Sequence, residues 1–402
     1  MGRKSWIGLI VGILVAAFLC FRLYHPDPSL TSQAPNSSIP PGGPVSHAST
    51  VKYAKGFTLQ YYPGYKVLRV LSPWPDAKTA LTYVLAPRGT PPPTLFPDAM
   101  LVETPVRRIV VTSTTHVVHF AMLGLEDNIA GIVGGRLIGT PSITARLRDG
   151  RIADVGDGSG VAITFNMETL FNLQPDLIMT FGTGNPQSDQ HTKLQEAGFR
   201  VVLNAEHMET TPLGRTEWMK FIAAFFDKDA EAERLFTDIA GRYEAQAARV
   251  RAAAKRPTVF CGANYGGVWQ MPGGGSYVSA FLRDAGAQYI WKDDPSTGTI
   301  PMNIESVIMH AKDAEFWINP GSNRSLRELA AEDERYSVFR AFRTGRVFND
   351  NAKISAGGGN DLWETGIAEP DQVLADLVSI FHPELAAQHR RIWYWQLPEG
   401  TL

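Results

Sequence analysis

Cysteine is nearly absent from this chain of 402 residues, which contains only Cys20 and Cys261. Cys20 lies in an apolar run near the N-terminus, so the remainder of the chain keeps a single thiol. This excludes an internal disulfide framework and a zinc site built from several cysteines. Cys261 ends a run with the character of a β-strand, and we expect it to be a buried, unreactive thiol.

The chain also lacks an excess of positive charge and the short motifs of well-known catalytic sites. Its formal net charge is −2 and its pI is about 6.5, so no basic field attracts nucleic acid. It contains neither a Gly-x-Ser-x-Gly nor a His-Glu-x-x-His motif, so nothing in it predicts catalysis. The glycine runs at 273–275 and 357–359 are not followed by the Lys-Ser/Thr of a phosphate-binding loop. We expect both runs to form flexible loops at the rim of a cleft.

The N-terminal 50 residues have the features of export and tethering rather than those of a folded domain. Arg3 and Lys4 precede an uncharged segment, residues 5–21, which is marginal for a spanning helix of about 20 residues. We favour an uncleaved signal or anchor at residues 1–24, with cleavage or lipidation at Cys20 left open. Residues 25–50 are rich in proline, serine and glycine and predict a disordered tether. The basic flank places the body outside the cytoplasm, held by this segment or released after cleavage.

The remainder predicts an α/β protein with two similar parallel-sheet lobes. Short apolar runs alternate with helical segments in residues 106–214 and again in residues 256–385, which is typical of parallel sheets covered on both faces. Residues 215–255 have apolar positions at helical spacing and predict connecting helices, the last of them long and rigid. Residues 51–105 predict a β-rich extension whose strands end at the prolines near position 92. Residues 386–402 predict a tail.

A repeated motif supports the two lobes. Residues 166–171 read NMETLF and residues 303–308, 137 positions later, read NIESVI. A repeat of this kind indicates one supersecondary unit used twice, and two lobes enclose a cleft. Asn166 and Asn303 suit helix N-cap positions, and Glu168 and Glu305 then lie in the first turn, where the helix dipole favours an acid. Helix capping and the docking of a partner are both open interpretations of the two glutamates.

Ligands of parallel sheets bind beyond the carboxyl ends of the strands, which selects the candidate site residues. Aromatic side chains there offer flat faces for a bulky ligand, and arginines can pair with carboxylates or phosphate. The alternative for each is a packed loop aromatic or a solvated charge. Metal binding stays open because His116 and His119 are three residues apart and His207 follows a later strand. A structural role is more usual for such histidines. The predicted ligand-binding residues are His116, Arg136, Tyr265, Trp269, Arg324 and Trp363.

Together these features resemble the periplasmic substrate-binding proteins of ABC importers for ferric siderophores, haem and cobalamin. The resemblance spans roughly residues 105–385 and is carried by the NME and PDLI sequences at 166–168 and 175–178 and by EPD at 369–371. It implies a monomeric binding protein with no enzymatic activity and no intrinsic cofactor. It also implies a metal-chelate ligand, namely a ferric siderophore, haem or corrinoid, and an ABC permease of the inner membrane as partner.

In that family a glutamate of each lobe docks onto permease arginines, and Glu168 and Glu305 occupy the corresponding positions. The ligand does not transfer with the fold. Two other interpretations therefore stay open. In the first, the histidines bind a bare transition-metal ion. In the second, the same scaffold serves an enzyme or a sensor, and the two glutamates only cap their helices.

Overall fold

The computed structural model describes residues 49–91, 93–158 and 163–400. The predicted anchor, Cys20 and the tether up to residue 48 lie outside these residues. Within them the prediction of an α/β protein with two parallel-sheet lobes, a long connecting helix and an N-terminal β extension is confirmed. No helix in these ranges is long and apolar enough to cross a membrane.

Lobe one is built on a parallel five-stranded sheet whose two faces are both covered. Neighbouring residues of its central strand face different apolar clusters, Ile109 and Val111 on one side and Val110 on the other. In spatial order the strands are Val201–Leu203, Leu177–Thr180, Ile109–Val111, Ile129–Ile132 and Ala153–Asp154. A small hairpin pairs Gly156–Asp157 with Thr164–Phe165, and the helices are Thr114–Met122, Pro141–Arg148, Met167–Leu173 and His191–Glu196.

Lobe two also has a five-stranded sheet, in which four strands are parallel and the fifth, at one edge, is antiparallel. In spatial order the strands are Gln288–Tyr289, Thr258–Cys261, Phe316–Ile318, Val347–Asn349 and Trp395–Gln396. Cys261 is fully buried, which confirms the expectation of a core thiol. A second small sheet contains Asn264–Tyr265, Val268–Pro272 and Thr299–Met302. The helices are Tyr277–Asp284, Ile304–Ala311, Leu326–Glu332, Arg340–Arg343, Thr365–Ala368 and Pro370–Phe381.

The edge strand of lobe two comes from the segment that the sequence predicts as a tail. The fully buried carboxylate of Asp376 accepts hydrogen bonds from the backbone N–H groups of Ile392, Trp393 and Tyr394, at 2.8–3.0 Å. These hydrogen bonds hold the segment against the closing helix Pro370–Phe381. Residues 386–400 are therefore part of lobe two.

Three helices connect the lobes: Pro212–Thr216, Trp218–Ala224 and Asp229–Arg251. The last has 23 residues and is roughly 35 Å long at about 1.5 Å per residue. It packs along the closing helix of lobe two, where Arg242 Nε donates to Asp371 Oδ2 at 2.6 Å. The prediction of one long connecting helix is thus confirmed, and small relative motion of the lobes stays a prediction.

The N-terminal extension is a four-stranded sheet with the order Phe57–Tyr62, Tyr65–Val70, Leu81–Pro87 and Met100–Thr104. The first three strands are antiparallel, as expected, but the fourth runs parallel to the third. The sequence does not reveal this fourth strand, because the preceding prolines indicate the end of the extension. Two glutamates hold the extension to the connecting region: Glu217 accepts backbone N–H groups of residues 52–54 and Glu209 those of residues 55 and 56.

Both glycine runs are packed rather than flexible, which corrects the expectation of mobile rim loops. A Cβ on Gly273 would lie 2.1 Å from the carbonyl oxygen of Ser296, and one on Gly357 would lie 1.8 Å from that of Arg136. Only glycine permits such close approach of two backbone segments. Because Arg136 belongs to lobe one, the second run brings lobe two into contact with lobe one.

Glu364, which follows the second run, strengthens this contact between the lobes. Its buried carboxylate accepts hydrogen bonds from the backbone N–H groups of Gly139 at 2.6 Å and Thr140 at 2.8 Å, and from the Thr140 hydroxyl. Burial raises the pKa of Glu364, while these donors oppose the rise. Ser355 Oγ also donates to the Leu137 carbonyl at 3.0 Å. The lobes are therefore joined at the cleft as well as through the connecting helices.

Candidate ligand-binding site between the lobes

A group of ionisable side chains lies beyond the carboxyl ends of two strands of lobe one. His116 and His119 are on the helix after Ile109–Val111, while Glu206 and His207 follow Val201–Leu203. Parallel strands bring their carboxyl ends to one edge of the sheet, so these residues meet there although they are far apart in sequence. His116, His119 and Glu206 are at most 1% exposed, and His207 is half-buried.

Glu206 is the charged centre of this group. Its carboxylate forms an ion pair with Arg215, whose side chain is 8% exposed, and accepts the Thr115 hydroxyl at 2.5 Å. Burial by itself would raise the pKa of Glu206, but Arg215 and His116 hold it at about 2. Glu206 is therefore ionised near neutral pH. A buried ion pair needs both partners, because either charge alone would be costly to bury.

The histidines around Glu206 are neutral and have unused hydrogen-bonding capacity. Burial lowers the pKa of His116 to about 3 and that of His119 to about 4, although the Glu206 charge opposes both shifts. Both ring nitrogens of His116 and His119, and Nε2 of His207, find no hydrogen-bond partner among the described residues. Buried polar atoms are normally paired with protein, water or ligand. We therefore expect water or a ligand group to complete the hydrogen bonds of these imidazoles.

Arg215 links this group to lobe two. It lies at the start of the connecting helices, and its Cζ atom is 5.1 Å from the centroid of the Tyr277 ring and 5.7 Å from a ring centroid of Trp363. These separations permit cation–π attraction to both rings. A buried arginine thus joins the acidic face of lobe one to an aromatic face of lobe two.

A small pocket opens beside these two rings on the lobe-two side. Asn319 is one of its lining residues and has a left-handed backbone with φ of 57°, which asparagine tolerates better than most residues and which often occurs at functional sites. The rest of the wall is largely apolar, so the pocket suits an apolar or aromatic group. It is lined by Tyr277, Val278, Phe281, Leu282, Ile318, Asn319, Leu362, Trp363, Val373, Leu377 and Tyr394.

Two of the six predicted ligand-binding residues meet in this arrangement. Trp363 lines the pocket, and His116 Nε2 lies 3.9 Å from Glu206 Oε1, on the other side of Arg215. Arg136 is exposed and instead bridges the lobes, donating to the Gly357 carbonyl at 3.2 Å. Whether these side chains contact a ligand stays a prediction.

The other three predicted residues lie away from the pocket wall. Trp269 is fully buried among the rings of the lobe-two core, and its Nε1 donates to the Cys261 carbonyl at 2.9 Å, so it offers no face to a cleft. Tyr265 is half-buried, and its hydroxyl packs near Gly321. Arg324 is exposed, with its Cζ atom 5.1 Å from the ring centroid of Trp395, so it supports the edge strand.

Sequence reasoning did not find Glu206, Arg215 and Tyr277. The rule that selects His116 also applies to Glu206, which follows the buried strand Val201–Leu203. Arg215 stands in a helical stretch that gives no sign of its long-range partner, and a charged residue there usually faces solvent. Tyr277 begins a helix after a glycine run that was expected to be flexible.

The two repeated helices carry their glutamates in the same way. The side chain of Asn166 accepts the Thr169 N–H at 3.0 Å and that of Asn303 accepts the Ser306 N–H at 2.8 Å, which confirms both N-caps. Glu168 and Glu305 are exposed. Their surroundings differ: Arg335 Nη1 lies 2.7 Å from Glu305 Oε1, whereas Glu168 has no ion pair within the part of the chain that the structure describes. Lobe one therefore presents the less screened carboxylate of the two.

The histidines of the cleft also bear on whether a bare metal ion could bind. Among residues 49–91, 93–158 and 163–400, no three histidine, cysteine, aspartate or glutamate side chains are arranged so that they could hold a metal ion. A single neutral imidazole is a common metal ligand, but the rings of His116 and His119 are buried.

Comparisons with known proteins agree with this architecture. An uncharacterized lipoprotein of Methanocaldococcus jannaschii is 28% identical over 358 residues, which cover 83% of this chain and 82% of that protein. A possible iron-binding (periplasmic solute-binding) protein from Staphylococcus epidermidis has a TM-score of 0.54 at 17% identity, covering 69% of this chain and 100% of that one. A periplasmic haem-binding protein from Pseudomonas aeruginosa has a TM-score of 0.53 at 18% identity, covering 72% and 98%.

At these identities the two solved structures establish a shared fold, and the family follows from the sequence itself. The sequence profile that describes periplasmic binding proteins matches residues 109–353, more than half of the 402 residues. The match begins at the first strand of lobe one and extends beyond the last parallel strand of lobe two. The chain therefore belongs to the periplasmic binding protein family.

Proposed function

We propose that this protein is the extracytoplasmic substrate-binding component of an ABC importer. It captures a metal chelate, namely a ferric siderophore, haem or a cobalamin-type corrinoid, between its two lobes and delivers it to a permease. Two solved proteins of this fold are described as possibly iron-binding and as haem-binding, which supports the ligand class. The Methanocaldococcus relative is named a lipoprotein, which supports a tethered location outside the cytoplasm.

The observation that carries the proposal is the meeting of Arg215 with Tyr277 and Trp363 where the lobes approach each other. A metal chelate combines broad apolar or conjugated surface with acidic groups and a metal centre. The rings can stack on the first, and Arg215 can pair with the second.

We assign delivery of the chelate to the permease to the two repeated helices. Glu168 and Glu305 are exposed at equivalent places on the two lobes, as a partner with two similar cationic sites requires. Helix capping explains the asparagines but does not require an acid two residues later in both lobes. Docking therefore accounts for the agreement of the two lobes, because the helix dipole favours an acid in each first turn but does not require one in both.

A bare transition-metal ion is the second candidate ligand. The unpaired ring nitrogens of His116 and His119 favour it, because neutral imidazole is a preferred ligand of zinc and iron. The described residues do not bring three such ligands together, which favours the chelate.

The test begins with the protein purified from its native host, examined by visible absorption and native mass spectrometry. A Soret band, a corrin band or a ferric charge-transfer band supports the proposal, whereas zinc or iron without a chelator supports the second candidate. Conversion of a candidate chelate into a new product, in the absence of transport partners, would contradict both and indicate an enzyme.

The site is then tested by titrating haemin, cyanocobalamin or ferrichrome against two variants while tryptophan fluorescence is recorded. Trp363→Ala should weaken binding of the accepted chelate roughly tenfold, since stacking on one ring contributes about 1–3 kcal/mol. Tyr65→Ala is the control, because Tyr65 is half-buried in the N-terminal extension and stacks on Tyr62 of the same hairpin instead. Equal affinity of both variants and the native protein would move the site away from this pocket.

A further inference from the structure

The two most exposed large apolar side chains of the described residues are Met309, at 72%, and Phe171, at 53%. The five other exposed ones lie between 39% and 43%. Single exposed apolar residues are normal on protein surfaces and need no explanation. The placement of the two extreme cases is what separates them from the rest.

Both lie on the repeated helices that carry the glutamates. Phe171 follows Glu168 by three residues, and Met309 follows Glu305 by four. At these spacings side chains are neighbours on one face of a helix. The opposite face of each helix is anchored by Leu170 in lobe one and by residues such as Val307 in lobe two, which are fully buried. The core therefore does not account for the exposed apolar side chains.

The exposure recurs without being copied position by position. With the offset of 137 residues, Phe171 corresponds to Ile308, which is half-buried, and Met309 corresponds to Asn172. Each helix has thus acquired its own exposed apolar side chain next to its own glutamate. Phe199 enlarges the apolar surface at Phe171, because the centroids of the two rings are 5.1 Å apart. A shared use of the two faces explains this better than inheritance of one sequence does.

We infer that each lobe docks onto the permease through a pair of side chains, a carboxylate and an apolar knob one turn farther along the helix. The pairs are Glu168 with Phe171 and Glu305 with Met309. The partner would present a cation beside an apolar recess, and it would present this combination twice. The inference rests on the proposed function and adds the apolar half of the contact to it.

Self-association is the competing use of these faces. Arg335 beside Glu305 offers a cation to Glu168 of another molecule. Such a contact would join lobe one of one copy to lobe two of the next, and a heterologous contact continues into rings or filaments. Two similar faces on one molecule instead match a partner with two similar subunits, as a paired permease has. The carboxylate on each face and the duplication of the face together favour the permease.

The first experiment places the photo-crosslinker p-benzoylphenylalanine at position 171 or 309 of the full chain, expressed in the native host. Positions 71 and 95, on the N-terminal extension, are the controls, because Leu71 and Leu95 are exposed apolar residues remote in sequence from both helices. We expect 171 and 309, but not the controls, to crosslink to the transmembrane subunits of one ABC importer, identified by mass spectrometry. Crosslinks only to a second copy of this chain, or none at all, would overturn the inference.

The second experiment measures the affinity of the purified full chain for membrane vesicles that contain the crosslinked permease. Phe171→Ser and Met309→Ser should each weaken binding roughly tenfold, as the loss of a buried apolar contact at an interface does. Leu71→Ser should have no effect. Circular dichroism and the melting temperature check that each variant folds, which these exposed positions should allow.

The Glu168→Gln/Glu305→Gln variant distinguishes docking through the glutamates from the additional apolar contact. If it loses binding while the serine variants bind like the native protein, docking through the glutamates stands and the apolar inference fails. If the glutamine and serine variants all bind normally, the proposed docking face itself is wrong. Loss of binding in both sets supports the paired contact.

Discussion

Lobe one and lobe two begin a matching helix in the same way but present different chemistry where they face each other. In both repeats an asparagine caps the helix and a glutamate occupies its first turn. At the cleft, lobe one contributes the buried Glu206 and neutral histidines, whereas lobe two contributes the rings of Tyr277 and Trp363 and a largely apolar pocket wall. The two copies of the repeated unit are therefore alike at one surface and divergent at another.

This difference indicates that the two surfaces meet different kinds of partner. A duplicated surface suits a partner that is itself duplicated, and the proposed permease contact has that form. A divergent cleft suits one ligand whose two sides differ in polarity. Arg215 stands at the boundary, since it pairs with Glu206 on one side and lies against two aromatic rings on the other. The comparison can be tested at each of these places.

The largest expected effect comes from breaking the ion pair of lobe one. Arg215→Met removes the cation and leaves the buried Glu206 carboxylate without its partner. Removing one member of a buried pair costs about 3–5 kcal/mol in the free energy of unfolding. Urea denaturation of the purified variant, followed by tryptophan fluorescence, measures this loss.

The control for this prediction is the double variant Glu206→Gln/Arg215→Met. With both charges removed no carboxylate is left unpaired, so most of the lost stability should return. On the lobe-two side, Tyr277→Phe keeps the ring and should change stability little. A single Arg215→Met variant as stable as the native protein would show that the buried pair does not stabilise the cleft.

Most of the fold was predictable from the sequence, because local apolar periodicity predicts most of its helices and buried strands. The runs around Ile109–Val111 and Phe316–Ile318, the 23-residue helix and the repeat all carry this signal. Two strands show what local periodicity does not reveal. Met100–Thr104 follows several prolines, and Trp395–Gln396 has only two residues and depends on the distant carboxylate of Asp376.

The site was less predictable, because it depends on contacts between segments that are far apart. The rule that ligands bind at carboxyl ends selects His116, but it cannot tell which charge is buried or with what it pairs. The same rule selects Trp269, as an aromatic side chain beyond the end of a strand. Alternation along its strand turns Val268 outward and Trp269 into the core, and only the paired strands fix that register.

The second prediction concerns the pH dependence of stability, which should come from lobe one. The pKa of His116 is lowered to about 3 and that of His119 to about 4, whereas an unfolded histidine titrates near about 6.5. Between these values the unfolded chain binds more protons than the folded chain, so stability falls as the pH falls below about 6.5. Each histidine adds a slope of up to about 1.4 kcal/mol per pH unit. Glu206, with a pKa of about 2, adds its own loss only below about pH 4.3.

Urea denaturation at a series of pH values between about 4.5 and about 6.5 measures this slope. His119→Leu should flatten it, because the buried ring that must stay neutral is gone. The matched substitution in lobe two, His310→Leu, replaces an exposed histidine and should leave the slope as it is. Equal slopes for His119→Leu and the native protein would mean that His119 does not remain neutral on folding.

The smallest expected effect tests the surface on which the lobes agree. Asn166→Ala removes the acceptor of the Thr169 N–H, and Asn303→Ala removes that of the Ser306 N–H. Loss of an N-cap costs about 1 kcal/mol, and the two bonds, 3.0 and 2.8 Å long, have similar geometry. Both variants should therefore lose nearly the same stability in urea denaturation. Asn→Asp at either position should retain most of it, because aspartate caps equally well. A large loss in one lobe and none in the other would mean that the helices share a sequence but not a structural role, and the duplicated surface would lose its basis.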